Sequence, residues 1–334
     1  MRSALFVVNP LGTHRLDTLG RHCEEAGARY GWRTEMVVTE EGDTSRGLHR
    51  RVREFLEPGA PRAWPGAEGI KHEDRPGVTA AEEKIVFAVG GDGTVRACAH
   101  DLAGTGVPLA VVPRGTANLF AHALGVPAGL AASLRNGFTG DTRLVDVAFA
   151  GDAPFVAMAG IGIDAAVVAT AARYPKHAFG WAGYALAALP HLPGRAVEVE
   201  VSVDGAPPLA FQARSVVVGN VGILPGGFTV LPGAEPDDGI LEVGVLSPEG
   251  IWGWVELARR FVAGRQRPGF THLRGATVSV RVTLGSWPLQ LDGEALGTAS
   301  ELRVEVRKRA LLLKVPRALR EDRVPREDRV PREE

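Results

Sequence analysis

Apolar positions follow two rhythms along this chain. Over residues 4–130, short unbroken apolar runs alternate with stretches whose apolar residues recur every three or four positions, the pattern of buried strands interleaved with amphipathic helices. Ala4-Leu5-Phe6-Val7-Val8 predicts a first strand, stopped by the breakers Asn9 and Pro10, and Leu16, Leu19, Cys23 and Ala26 mark the inner face of the helix that follows. Met36-Val37-Val38-Thr39 predicts the second strand, and a helix over 45–57 turns Leu48, Val52, Phe55 and Leu56 inward and Arg50, Arg51 and Arg53 outward. Two more strands, over 85–89 and 107–112, each run into a polar loop and then a helix. The first loop is Gly90-Gly91-Asp92-Gly93-Thr94, ahead of Val95, Cys98 and Leu102; the second is Pro113-Arg114-Gly115-Thr116-Ala117-Asn118, ahead of a helix over 119–124. Strands alternating with helices imply a mostly parallel sheet covered on both faces, with ligands bound beyond the carboxyl ends of its strands.

Beyond residue 140 the period drops to two. Val197, Val199, Val201 and Val203 alternate with Glu198, Glu200 and Ser202, Asp204-Gly205 reads as a hairpin turn, and residues 211–218 read as one return strand. Further strands are expected over 144–150, 155–159, 240–246, 277–284, 302–306 and 310–315. Helices are expected over 179–189 and after Ser247-Pro248, the latter carrying Ile251, Trp254, Val255 and Leu257. The pattern therefore divides the chain into an α/β region, 1–140, and a β-rich, mainly antiparallel region, 141–308. Residues 58–83, with Pro58, Pro61, Pro65 and Pro76 among Gly, Ala and Glu, are expected to form a flexible insertion. Residues 318–334, where Arg320-Glu321-Asp322-Arg323-Val324-Pro325 repeats once, are expected to be disordered.

Composition narrows the function classes. A chain of 334 residues with 45% apolar content sustains two cores, and a net charge of −1 spread over both signs gives no basis for nucleic-acid binding. Cys23 and Cys98 lie far apart on predicted helices, which argues against a disulfide framework or thiolate metal site and fits a reducing cytoplasm. No apolar run reaches the ~18 residues of a membrane span. The expectation is a soluble protein, or one that rests on a membrane rather than crossing it. His100, His122, His177 and His191 lack a paired ligand spacing such as HExxH and read as surface or core residues.

The chemistry concentrates in the loops. Three glycines in Gly90-Gly91-Asp92-Gly93 permit close backbone approach to a ligand, and the helix start beyond them presents unpaired N–H groups to an anion. A tight strand-to-helix turn explains one or two glycines but neither the carboxylate nor the hydroxyl, so phosphate is the expected guest. Asp92 suits Mg²⁺, which prefers one or two carboxylates with phosphate oxygens and water, while Thr94 and nearby N–H groups suit phosphate. Taken alone, Asp292-Gly293-Glu294 is a hairpin turn, Glu235 to Gly239 an acidic β-turn and Thr39 a strand-end threonine. Asn118 serves either a nucleotide or its own loop backbone.

Taken together, these motifs resemble the diacylglycerol kinase catalytic domain family, which includes bacterial lipid kinases and sphingosine kinases. They run in the family's order: Asn9-Pro10, the two glycine loops, Gly160-Ile161-Gly162-Ile163-Asp164-Ala165, Gly226-Gly227 through Asp238-Gly239, and Leu291-Asp292-Gly293-Glu294. The resemblance implies an N-terminal doubly wound, Rossmann-like nucleotide domain and a C-terminal antiparallel β-sandwich domain. The active cleft lies between them, and the strand over 310–315 returns to the first domain. It implies transfer of the γ-phosphoryl of ATP, with Mg²⁺, to the hydroxyl of diacylglycerol or a related lipid. Asn9, Thr39, Gly90, Gly91, Asp92, Gly93, Thr94, Gly115, Thr116 and Asn118 are then nucleotide contacts. Glu294 is the general base, aided by Asp92 in catalysis, and Asp292 positions either Glu294 or the metal. Glu235, Asp238 and the carbonyl of Ile240 hold a structural magnesium. The implied partner is a lipid at a membrane surface, met by an apolar edge beside the cleft, in a cytoplasmic protein peripheral to the membrane; the helix over 179–189 reads first as a core helix and second as that edge.

The chain departs from the family pattern in Asn9-Pro10-Leu11-Gly12-Thr13, where relatives often read Asn-Pro-x-Ser-Gly, in Leu119 after Asn118, and in the 58–83 insertion. Three alternatives share the fold: an NAD kinase, which carries the GGDGT turn with a different second motif, a soluble-polyol kinase, and a non-catalytic nucleotide-binding regulatory protein.

Overall fold

The computed structural model describes residues 2–10, 15–39, 46–57, 83–171, 187–192, 194–224, 228–263 and 269–317. The expected insertion except Glu83, the expected helix over 179–189 up to residue 186, Leu11 to Thr13, Gly226-Gly227 and the charged tail lie outside the described residues.

The first half runs β1 (Ser3–Val8), α1 (Leu16–Tyr30), β2 (Arg33–Val38), α2 (Arg46–Leu56), β3 (Lys84–Gly90), α3 (Asp92–Leu102), β4 (Leu109–Pro113), α4 (Leu119–Ala123) and α5 (Leu130–Thr139). Its four strands pair in parallel in the order β2-β1-β3-β4. The inner three are covered on both faces, which is why they read as continuous apolar runs, whereas β2 at the edge leaves Met36 and Val38 exposed. On one face Phe6, Phe87 and Ala110 pack against Leu19 and Cys23 of α1 and Leu134 of α5. On the other, Leu5, Val7, Val86 and Val111 pack against Leu48 and Val52 of α2 and Val95, Cys98 and Leu102 of α3. Helix α5 was not signalled by apolar spacing. It packs closely partly through a glycine: a Cβ on Gly137 would collide with the Phe87 ring. Cys23 and Cys98 are both free and buried.

The second half runs β5 (Asp141–Ala150), β6 (Ala153–Phe155), β7 (Met158–Gly162), α6 (Ile163–Ala171), a 3-10 turn at Leu189–His191, β8 (Val197–Val203), β9 (Leu209–Ala213) and β10 (Ser215–Gly219). It continues through β11 (Ile223–Leu224), β12 (Phe228–Thr229), β13 (Leu241–Leu246), α7 (Gly250–Ala263), β14 (Phe270–Gly275), β15 (Thr277–Val282), β16 (Trp287–Leu291), β17 (Glu294–Ala299) and β18 (Glu301–Val315). Strand β18 pairs antiparallel with β15 and, at Leu313 opposite Leu109, parallel with β4. One sheet thus runs β2-β1-β3-β4-β18-β15-β8-β9, with β5 also on β18, and the parallel region passes into the antiparallel one without a break. A second, antiparallel sheet, β14-β13-β10-β7-β16-β17, completes a sandwich. Its core sets Ile161, Val216, Val218 and Val243 against Val199, Val201, Val278, Val280, Leu302 and Val304.

Four expected strands take another form. The return strand over 211–218 is two strands in different sheets, β9 and β10, with the chain changing sheets at the buried Arg214, which donates to the carbonyls of His191 (2.7 Å) and Leu192 (3.1 Å). The strand over 155–159 divides at Val156-Ala157, because the N–H groups there turn to the carboxylate of Asp292 instead of a neighbouring strand. The segments over 302–306 and 310–315 are one strand, β18, with a register shift between Arg307 and Leu311 and a positive φ of 52° at Arg309. The charged run Arg307-Lys308-Arg309 hides that continuity in the sequence.

Candidate active site

The sheet order places four strand ends side by side. Asn9 follows β1 and donates its backbone N–H to Val89 (3.0 Å); Thr39 follows β2 and donates its N–H to Val8 (2.8 Å). Gly90 closes β3 and Pro113 closes β4, and the N–H of Arg114 bonds to the carbonyl of Gly90 at 2.8 Å. Asn9, Thr39 and both glycine loops therefore line the carboxyl edge of one parallel sheet.

The two loops meet through their glycines. A Cβ on Gly91 would lie 3.1 Å from Cα of Gly115, and one on Gly115 would collide with Gly91, so only glycine at both positions lets the backbones touch. Thr94 is buried and covers Gly90, while a Cβ on Gly93 would meet nothing within 4 Å. Thr116 is exposed. Asn118, at φ 48°, closes its own loop: Oδ1 accepts the N–H of Gly115 (2.9 Å) and Nδ2 donates to the Gly115 carbonyl (2.7 Å). Of the two roles open to Asn118, this geometry uses the loop backbone.

Asp92 takes a different position from that of an open metal ligand. Its side chain is buried, Oδ2 accepts the N–H of Leu119 (3.0 Å) and Oδ1 that of Phe120 (3.1 Å). The first residue of α3 thereby caps the first turn of α4 and ties the first glycine loop to the second. Burial raises its pKa, opposed by those same N–H bonds.

The Asp292-Gly293-Glu294 turn approaches from the other half. Asp292 (φ 48°) and Gly293 (φ 76°) make the two-residue bend between β16 and β17, with Leu291 paired to Glu294. The Asp292 carboxylate accepts three backbone N–H groups, from Val156 (2.9 Å), Ala157 (2.8 Å) and Met158 (3.0 Å). On the far side of the same peptide units, Asn220 donates to the carbonyl of Val156 and the N–H of Asn220 reaches Ala157. The turn is also held from below: the Gly293 N–H bonds to Oε1 of Gln290 (2.9 Å), whose Nε2 bonds to the partly buried Asp164 (3.2 Å). Glu294 itself is half-exposed, at 45% of its side-chain surface.

Arg96 joins the two walls. It lies one helical turn beyond Asp92 on α3, donates Nη1 to the carbonyl of Leu291 (3.2 Å), and pairs through Nη2 with Oε2 of Glu294. The sequence reading passed over Arg96 and Asn220. Arg96 carried one usable signal, its place four residues after Asp92 on the same helix face.

Burial is the main influence on Asp292 and pushes its pKa up to about 7; the N–H bonds and Arg96 oppose the rise, and the charge of Asp92 adds to it. The folded state thus holds this proton more tightly than the unfolded chain. The stability that follows is complete below the ordinary carboxylate pKa near ~4 and is lost as pH rises through about 7. Urea unfolding at stepped pH is expected to show wild-type stability falling relative to Asp292→Asn between those limits; parallel curves would contradict it.

Glu235, Asp238 and Ile240 form a second group, organised around the buried Asp146. Asp146 accepts the N–H of Gly239 and of Arg309, both at 2.6 Å. Asp238 Oδ1 accepts the Ile240 N–H (2.9 Å), and its other oxygen lies 3.6 Å from Arg274. Burial raises the pKa of Asp238, and the like charges of Glu235 and Asp237 add to the rise against the pull of the Ile240 N–H and Arg274.

Known proteins are similar to most of this chain. The profile of the diacylglycerol kinase catalytic domain matches residues 3–150, and that of the YegS C-terminal NAD kinase beta sandwich-like domain matches residues 157–315. A "Probable lipid kinase YegS-like" of Pseudomonas putida is 33% identical over 243 residues, covering 71% of this chain and 79% of that protein. The uncharacterized protein sll0036 of Synechocystis sp. is 29% identical over 65% of this chain, and the match spans about half, 51%, of its length. In fold, a crystal structure of a diacylglycerol kinase from Bacillus anthracis superposes with a TM-score of 0.65 at 20% identity, covering 95% of this chain and 97% of that one. With both profiles matched in order and a YegS-like relative at this identity, the chain belongs to the diacylglycerol kinase catalytic domain family, in its YegS-like branch.

Proposed function

We propose that this protein is an ATP-dependent lipid kinase that transfers the γ-phosphoryl group of ATP to the hydroxyl of diacylglycerol or a related lipid. The observation that carries the reading is the joining of the glycine loops to the Asp292-Gly293-Glu294 turn through Arg96. Phosphoryl transfer depends on positioning and on compensating charge more than on covalent chemistry from the protein. The strand-end loops supply backbone N–H groups at the point where Gly91 and Gly115 touch, and open space at Gly93 leaves room for phosphate oxygens. Glu294 is a half-exposed carboxylate joined to those loops through Arg96, so it accepts the proton of the lipid hydroxyl as the new P–O bond forms and the bond from the γ-phosphorus to the bridging oxygen breaks, releasing ADP. Arg96 acts by fixing the Glu294 carboxylate beside the glycine loops.

Magnesium has two expected places. At Asp92 each oxygen accepts one N–H bond and keeps a second lone pair, so the side chain that caps α4 could still hold the ion beside phosphate oxygens and water. Around Asp238 the donors are all oxygen, as a hard cation requires, and neighbouring like charges favour a cation. Glu235, Asp238 and the Ile240 carbonyl would hold it, where it would brace the bend anchored by Asp146.

No helix among the described residues is long and apolar enough to cross a membrane. The lipid is met at the bilayer surface from the cytoplasmic side. Labelled ATP and Mg²⁺, incubated with diacylglycerol, a long-chain base, total lipid extract, glycerol and NAD, test the reading. Label in the organic phase on a diacylglycerol product supports it; label only on NAD or glycerol, or no transfer at all, overturns it.

A further inference from the structure

Helices α2 and α3 share a polar cluster on the side of the sheet away from α1, and phosphoryl transfer makes no use of it. His49 of α2 and His100 and Asp101 of α3 bring one ligand atom each within 4.8 Å of one another. His49 Nδ1 lies 2.6 Å from Asp101 Oδ2, and His100 Nδ1 lies 3.1 Å from Oδ1. The two rings are tilted by 53° with centroids 4.6 Å apart. The Asp101 side chain has no exposed surface, whereas the imidazoles keep 23% and 34% of theirs. A closed carboxylate floor thus lies under two imidazoles that reach solvent.

We propose that His49 Nδ1, His100 Nδ1 and the Asp101 carboxylate form a site for a divalent first-row transition ion, Zn²⁺ foremost, with water as the fourth ligand. Two imidazoles and a carboxylate are the donor set such ions favour, whereas Mg²⁺ and Ca²⁺ select oxygen alone. Tetrahedral Zn²⁺, with ligands at ~2.0–2.2 Å, separates its donors by roughly 3.3 Å. Each imidazole faces a different oxygen of the one carboxylate, at 2.6 and 3.1 Å, and one ligand atom from each residue lies within 4.8 Å of the others, so the donors reach that geometry by shifts of up to roughly 1.5 Å. Arg53 Nε lies 3.5 Å from Asp101 Oδ1, but 64% of that side chain is exposed, so it can leave as the ion arrives. The ion lies eight or nine residues along α3 from Asp92, roughly 12 Å away along the axis. It would clasp α2 to the helix that starts in the first glycine loop without entering the reaction.

The test uses the full chain stripped of metal, titrated with Co²⁺ by visible absorption and with Zn²⁺ by calorimetry in a non-chelating buffer. One equivalent is expected to bind with a tetrahedral cobalt spectrum. His49→Gln, His100→Gln and Asp101→Asn should each weaken it by at least about 100-fold, beyond the ~10–100-fold typical of losing an outer-shell partner. His22→Ala, at an exposed histidine elsewhere, should leave binding unchanged. Zn²⁺ should also raise the melting temperature of wild type and not of His49→Gln, a change at a partly exposed side chain, which keeps the test decisive if Asp101→Asn fails to fold. Absence of saturable binding, or equal affinity in wild type and His49→Gln, overturns the site and leaves a His–Asp–His hydrogen-bonded clasp.

Discussion

Replacing Asp92 with alanine is expected to unfold this protein more readily and to remove its nucleotide affinity together. The substitution withdraws the acceptor from the N–H groups of Leu119 and Phe120, both in the buried first turn of α4. An unsatisfied buried donor costs about 1–3 kcal/mol, and loss of a helix cap falls in the same range. Release of a desolvated carboxylate offsets part of this, leaving about 2–4 kcal/mol. Asp92→Asn keeps one acceptor and should lose about half as much. Urea unfolding gives the stability and calorimetry with ATP the affinity. Because Gly91 and Gly115 must stay in contact to shape one cradle, the two losses should follow each other across the variants. Wild-type stability in Asp92→Ala, with only catalysis lost, would return Asp92 to the role of a metal ligand.

Glu294→Ala is expected to leave folding and ATP binding near wild type and to lower lipid phosphorylation by about 10²–10⁴-fold, the range that a positioned general base contributes. The side chain is half-exposed and its ion pair with Arg96 joins surfaces already held by β18, so stability should change little. Glu294→Gln keeps the shape and an acceptor for Arg96 but cannot take a proton, and should be as inactive as Glu294→Ala. Turnover of Glu294→Gln at the wild-type rate would leave Arg96 and the glycine loops as the whole of the catalytic apparatus.

Much of the fold was legible because burial wrote it plainly. The runs at Ala4 to Val8 and Ile85 to Val89 are covered on both faces and so are apolar throughout, and Val197 to Val203 alternates in a sandwich strand. What stayed hidden depends on partners distant in sequence. Nothing near Arg214 signals that its guanidinium will meet the His191 and Leu192 carbonyls where the chain changes sheets. Arg307 to Arg309 looks like a solvated break but lies within a 15-residue strand whose two ends pair with different regions. At the candidate site the glycines were legible because a backbone contact accepts no other residue. The use of Asp92 as a cap and the reach of Arg96 to Glu294 were not, since each is set by a chain segment about 27 and 198 positions away. His49 and His100 likewise lack a local ligand spacing and come together only through helix packing.

The joining of donor loops and acceptor turn into one cleft is tested most directly by a double-mutant cycle on lipid phosphorylation, using wild type, Arg96→Ala, Glu294→Gln and the double variant at saturating ATP. If Arg96 acts by holding Glu294, removing it from a protein whose base is already gone should change little. The double variant should then match Glu294→Gln within about twofold, although Arg96→Ala alone is markedly impaired. Losses that multiply across the cycle would show two independent residues and contradict a cleft built around their pairing.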